Sequence, residues 1–159
     1  MQTTEYNRSA AIGYAEKWAL GRNPAYADFT DMGGDCTNFL SQCLYAGCGI
    51  MDPKPVFGWY YRSLNDRAPA WTGVEALFRY LTGKNGVGPF AEITAREALL
   101  PGDLIQLENE RGVFYHGLFV IRPGANLLVA AHDLDAWLRP LASYDFRGYR
   151  CLHIEGVRL

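Results

Sequence analysis

The sequence predicts an α+β domain, with helices in the first half and an antiparallel sheet in the second. Three observations carry that prediction. Apolar residues recur at helical spacing in the stretches before residue 82, the period falls from about 3.6 to 2 after Asp103, and turn signals separate the short β-rich runs that follow. Helices first and strands afterwards place the sheet against the helices of the first half.

The first helix is predicted from Ala11, Tyr14, Ala15 and Trp18, with Thr4 and Glu5 at its start and Gly21 at its end. A loop, NPAYADFTDMGGD, follows, and its Pro, Asp and paired glycines break any period. The second helix carries Cys36, Phe39, Leu40, Cys43, Leu44 and Gly47 on one buried face, with Gly47 and Gly49 as its stop. The segment MDPKPVFGWYYRSLNDRAPAW is aromatic-rich, contains three prolines, and reads as an ordered surface excursion. A third helix is predicted behind a Thr72-x-x-Glu75 capping box, with Val74, Leu77, Phe78 and Leu81 apolar and Gly83 closing it. A second box, Thr94 to Glu97, predicts one or two turns before Pro101. The strands are DLIQL, VFYHGLFVIR, LLVAAH and GYRCLHIEGVRL, separated by NERG, PGAN and a loop DLDAWLRP.

At 159 residues, with 49% hydrophobic and 20% charged, the chain has the balance of one compact soluble domain over residues 1–159. A chain of that size buries roughly 70% of its unfolded surface, so a core forms without disulfides or metals. The net charge of −2 has no long block of like charge, which argues against nucleic acid as a partner. No apolar run is long enough for a membrane span, and the N-terminus lacks a signal-peptide pattern. Four cysteines are too few for a disulfide scaffold and form no CxxC pair. With three histidines as well, each can be weighed alone.

Cys36 falls in the first turn of the second helix, after a Gly-Gly-Asp approach. A helix N-terminus favours a thiolate, and a nucleophilic cysteine needs such help or a histidine partner. Asp35 opposes it unless its carboxylate is spent in capping, so a histidine is expected to do most of the activation. Cys43, Cys48 and Cys151 read as structural, as does His153, and Asp103 is expected to fix the turn into the first strand. His116 lies on the strand VFYHGLFVIR, sharing a face with Leu118 and Val120. A hairpin about PGAN sets it opposite His132 if the loop is 123–125, and opposite Asp133 if the loop is 123–126. Either residue can orient an imidazole, completing a Cys, His and polar set of the kind used in acyl transfer. Trp59, Tyr60, Tyr61 and Trp71 are equally expected to line a cleft or to cover the core. Asn38 and Gln42 are expected to be structural.

The run DCTNFLSQCLYAG, with YNRSAAIGYAEKWA and NPAYADF before it and WYYRSLNDRAPAW, LLPGDLIQ, YHGLFVI and AAHDLDAW after it, resembles the bacterial putative amidase domain. That group is similar to the papain-like NlpC-type cell-wall peptidases and the CHAP amidases. The resemblance covers about Glu5 to Tyr144. It implies a papain-like α+β fold with Cys36 as nucleophile, His116 as base and His132 as third member, with Asp133 or Asp135 sharing or replacing that last role. It further implies Tyr26 as a substrate-positioning tyrosine, hydrolysis of an amide in peptidoglycan or a peptide, and no metal or organic cofactor. Members are commonly exported by bacteria.

Two other classes are set beside this one. A metal-dependent hydrolase would draw on His116, His132, Asp133 and Asp135, though their spacing fits no zinc pattern and leaves Cys36 without a part. A catalytically silent binding domain would have no need of Cys36, His116 and His132 together.

Overall fold

The computed structural model describes all 159 residues. Helix α1 spans Arg8–Trp18, α2 Cys36–Cys48, α3 Pro69–Thr72 and α4 Val74–Thr82. The strands are β1 Thr3–Thr4, β2 Tyr61–Ser63, β3 Asp66–Arg67, β4 Gly88–Thr94, β5 Leu104–Glu108, β6 Phe114–Arg122, β7 Leu128–Ala131, β8 Ala136–Pro140 and β9 Gly148–Arg158. The fold is α+β, with a mostly antiparallel sheet and few helices. Strand β9 is the hub of that sheet: it pairs antiparallel with β1, β4 and β5, and the order then runs through β6 and β7 to β8. No helix is long and apolar enough to cross a membrane.

Helix α1 begins later than the sequence predicts. Its N-cap is Asn7, whose Oδ1 accepts from the Ala10 N–H at 3.0 Å, while Thr3 and Thr4 are drawn into β1 against Arg158 and Val157. Helix α2 follows the predicted stripe and ends on Gly49, whose φ of 75° is the left-handed C-cap that glycine adopts without a Cβ clash. The Thr72 to Glu75 box does not cap. Thr72 closes α3, its Oγ1 accepts from Arg67 Nε at 3.2 Å, and α4 starts afresh after Gly73.

The sheet is covered on both faces. Phe39, Leu40 and Leu44 of α2 pack with Leu104, Phe119 and Leu152 in one apolar layer, and Ile105, Leu107, Leu118, Val120 and Val129 form a second with Leu99, Leu127 and Leu141. Alternation along β6 therefore sends Phe119 toward the helices and Leu118 and Val120 away from them. Gly117 lies between, and a Cβ there would stand 2.5 Å from Leu40 Cδ1, so its missing side chain is what lets α2 lie on β6.

Besides β1 and the short β2–β3 hairpin within the aromatic segment, two longer strands depart from the prediction. Gly88–Thr94 is a seven-residue strand on the outer side of β9, and Ala136–Pro140, expected as loop, is the strand β8 beside β7. Trp59 and Trp71 are fully buried and Tyr60 nearly so, which decides for core over cleft. Trp59 Nε1 donates to Ser41 Oγ and Trp71 Nε1 to Asn38 Oδ1, so each indole spends its donor inside. All four cysteines are free thiols. Asp103 fixes its turn by accepting from the Leu100 N–H, and also pairs with Arg8 and His153, giving His153 polar partners the sequence did not indicate.

Candidate active site

Cys36 is the first residue of α2, and its amide and that of Asp35 open the helix. Both amides donate to one carboxylate from a distant part of the chain. Asp133 Oδ1 accepts from Asp35 N at 2.8 Å and Asp133 Oδ2 from Cys36 N at 3.3 Å. Asp35 makes no side-chain cap of its own. Its Oδ1 accepts from the Phe29 N–H and from Asn38 Nδ2, which holds the loop ahead of the helix, and its Oδ2 faces His132.

Asp133 arrives through the turn between β7 and β8. Ala131 pairs with Ala136, and Asp133 and Leu134 between them have φ of 64° and 60°, the left-handed pair of a type I′ hairpin turn made here without glycine. The register of β6 on β7 pairs Phe119 with Ala130 and Val120 with Val129. Extended along the strands, it sets His116 across from Asp133, but a bulge between Val120 and Arg122 pairs Arg122 with Leu128, so the connection is longer than either loop the sequence suggested. The thiol of Cys36, a ring nitrogen of His116 and a carboxylate oxygen of Asp133 lie within 4.8 Å of one another.

His132, expected as the third member, is turned the other way. Its Nδ1 lies 2.5 Å from Asp35 Oδ2, its Nε2–H donates to the Trp18 carbonyl at 2.9 Å, and its ring stacks on Phe39. His132 and Asp133 both lie in the turn past the end of β7, where the left-handed backbone at Asp133 carries its carboxylate to the Cys36 amide while His132 stays against Asp35 and Phe39. The predicted metal set of His116, His132 and Asp133 does not assemble for the same reason, and the grouping that forms includes Cys36 in place of His132. Asp135 is held by a forked pair from Arg22, with Nη1 to Oδ2 at 2.7 Å and Nη2 to Oδ1 at 3.1 Å. Arg22 also approaches Asp28 and Asp35, tying the loop before Cys36 to the turn that carries Asp133. Nothing in the sequence marked Arg22 for this, because its partners are 6 to 113 residues away.

Tyr26 and Trp59 lie apart from this group. Tyr26 stacks on Trp71 at 6.0 Å and leans on Tyr61 at 5.0 Å, its hydroxyl pushed up to about 12 by burial, and Trp59 is enclosed beneath Ser41. A cleft of about 790 Å³ opens above the catalytic candidates, lined by Gly33, Gly34, His116, Asp133, Leu134 and Arg139 among others. Cys36, 6% exposed, does not line it and is reached only through His116 and Asp133, which do.

Burial governs the electrostatics. Desolvation pushes the Cys36 thiol above its ordinary 9.0 and the Asp133 charge adds to this, against hydrogen bonds from the backbone of Gly117 and Thr37 and from the Thr37 hydroxyl. The helix N-terminus therefore does not deliver the depressed thiol that the sequence suggested. Desolvation also holds His116 below its ordinary 6.5, with Asp133 acting upward and Arg139 downward. At neutral pH the resting pair is a thiol beside a neutral imidazole.

A buried cysteine at a helix start, an imidazole beside it and two amides held by one carboxylate thus come together at one place. The chain belongs to the putative amidase domain family, whose model matches residues 5–153. It is therefore a domain of the putative amidase type. It is 34% identical over 150 residues to the uncharacterized protein YhbB of Bacillus subtilis (strain 168), covering 91% of this chain and 47% of YhbB. It is 35% identical over 82 residues to the uncharacterized protein YjcM of the same strain, covering 52% of this chain and 17% of YjcM. The chain thus spans about half the length of YhbB and less of YjcM. No solved structure matches it.

Proposed function

We propose that the chain is a papain-like cysteine amidase or peptidase that cleaves an amide in a peptide or in peptidoglycan. The observation that carries this is Cys36 in the first turn of α2, grouped within 4.8 Å with His116 and Asp133 under an open cleft. Cys36 Sγ attacks the carbonyl carbon while His116 takes the thiol proton. The C=O electron pair moves to oxygen, and the resulting oxyanion is held by the N–H groups of Asp35 and Cys36. His116 then returns the proton to the leaving amine, the C–N bond breaks and a thioester remains on Cys36. Water, deprotonated by His116, attacks the thioester carbonyl; the C–S bond breaks, the acid leaves, and His116 returns the proton to Cys36 Sγ. Asp133 supplies the negative charge that favours the imidazolium, the part first assigned to His132.

Because burial keeps both groups neutral at rest, proton transfer accompanies attack and no thiolate–imidazolium pair stands ready beforehand. The test is digestion of purified muropeptides and of unrelated peptides, followed by mass spectrometry. New amine and carboxyl termini from the wild-type chain, absent with Cys36→Ala and undiminished by a chelator, are expected. Cleavage that survives Cys36→Ala or is lost to the chelator overturns the cysteine mechanism. Intact muropeptides beside cut peptides would remove the cell-wall substrate.

A further inference from the structure

The amides that the proposed mechanism needs for the oxyanion are already taken. Asp133 accepts from both, closely from Asp35 and at 3.3 Å from Cys36, and the thiol beneath is almost closed off. The fit is built in on the facing side as well: a Cβ on Gly34 would stand 2.7 Å from Asp133 Oδ2, and Gly34 has φ of 110°, so only glycine leaves the carboxylate its place.

We infer that Asp133 is a displaceable stand-in for the reaction's oxyanion, closing the two amides at the start of α2 until a substrate carbonyl takes them over. The inference rests on the reading of Cys36 as nucleophile and adds how its site is kept shut.

A carboxylate carries one negative charge over two oxygens, as the tetrahedral intermediate carries one on its oxygen, so the same donors suit both. The weaker of the two contacts is the one to the Cys36 N–H, beside the carbon under attack. The turn allows the exchange: Asp133 and Leu134 are both left-handed, Asp133 is only half-buried and Leu134 is 84% exposed. Its neighbours stay in place, His132 on Asp35 and Trp18, and Asp135 on Arg22. The movement is therefore a rotation of one side chain on an anchored turn. Charge stays balanced. As the C–S bond forms, the thiol proton goes to His116 and the oxygen gains its charge on the amides. The released Asp133 carboxylate remains beside the new imidazolium.

The test compares alkylation of Cys36 in the intact chain by neutral iodoacetamide and by iodoacetate, whose carboxylate is repelled by Asp133 and is received by freed amides. Rates are read by mass spectrometry of the Cys36 peptide at fixed pH in wild type, Asp133→Asn and Asp133→Ala. Asp133→Ala is expected to raise both rates and to raise the iodoacetate to iodoacetamide ratio about tenfold, the scale of one nearby charge under partial screening. Asp133→Asn, isosteric and the safer variant to fold, is expected to raise the ratio by less. An unchanged ratio in both variants, or slower alkylation in either folded variant, overturns the inference. A raised ratio in a chain that cuts no amide upholds the closed anion site while the hydrolase reading fails. Amide cleavage by wild type with an unchanged ratio does the reverse.

Discussion

At the scale of single residues, burial decides more than sequence position. Desolvation pushes Cys36 and His116 in opposite directions, the thiol up and the imidazole down, while Asp133 acts upward on both, adding to the first shift and opposing the second. The sign follows. His116 must be neutral to accept the thiol proton, so activity is lost as pH falls through its pKa, and that acid limb lies below 6.5. A small neutral alkylating agent needs the thiolate, so labelling of Cys36 keeps rising with pH and levels off only above the ordinary 9.0, whereas a helix-activated thiolate would already be at its plateau at mildly acidic pH. A pH–rate profile and a labelling profile measure the two separately, and an acid limb above 6.5 would mean that burial does not depress His116. His132 differs in kind. It is 1% exposed and pairs with fully buried Asp35, so His132→Gln removes the closest partner of Asp35 Oδ2, leaving Arg22 Nε at 3.4 Å, and is expected to cost about 3 kcal/mol of stability. Because it positions the turn and touches no substrate, the folded variant keeps far more activity than His116→Gln, which forfeits roughly 10²- to 10⁴-fold general base catalysis. Thermal melts and kcat on folded protein decide, and equal kcat losses would return His132 to the catalytic set. The sequence showed Cys36 and His116 because each has a local signature: a helix start after Gly-Gly, and a strand parity. It left His132 and Asp133 open because a single residue of hairpin loop exchanges them, and only the paired backbone resolves that.

At the scale of elements, periodicity was a sound guide where one face is buried and a poor one elsewhere. Helix α2 and strands β5, β6, β7 and β9 follow their predicted runs because each packs a regular stripe into the apolar layers. Strand β4 escaped notice because it opens Gly88-Pro89. Proline is tolerated there because β4 pairs with β9 alone. Strand β8 escaped because Leu138 has φ of 60° and the pairing with β7 shifts between Val129 and Ala131, which breaks the alternation. The Thr72 box misled because a four-residue helix ends where the pattern expects one to begin. The contact of α2 with β6 is a sharper case. Gly117→Ala puts a methyl 2.5 Å from Leu40 Cδ1 at a site where Leu40 has no exposure, and overpacking of this kind costs about 1 to 3 kcal/mol. Leu40→Val made together with it frees the offending carbon, so the double variant is expected to be more stable than the sum of the two single losses. Strict additivity in denaturant melts would mean that α2 does not bear on Gly117. The turn that carries Asp133 predicts the opposite sign. Leu134→Gly relieves a left-handed residue and, at 84% exposure, loses little packing, so a gain of about 0.5 to 1 kcal/mol is expected.

At the scale of the whole molecule, the two halves are joined by long-range pairing more than by sequence neighbourhood. Strand β9 binds β1 from the start of the chain, β4 from its middle and β5 from its second half, and Arg8 of α1 reaches the carbonyls of Pro101 and Ile154 as well as Asp103. Helix α2, which carries Cys36, packs on β6, which carries His116, and the loop before α2 is tied by Arg22 to the turn after β7. The site is therefore assembled across both halves, and neither holds it alone. We propose on this ground that residues 1–159 fold as one domain. Urea unfolding followed by tryptophan fluorescence, which reports on buried Trp59 and Trp71 beside the helices, and by far-ultraviolet circular dichroism, which includes the sheet, is expected to give one coincident transition. Deletion of Gly148–Leu159 removes the hub, leaving β1 and β4 with no partner and β5 with one, and is expected to abolish that transition altogether. Two separated midpoints would divide the chain into independently folding halves. A cooperative melt in the truncated chain would show that the helical layer stands on β5 to β8 without the hub, and the assembly of Cys36, His116 and Asp133 would then have to be explained by α2, β6 and the β7–β8 turn alone.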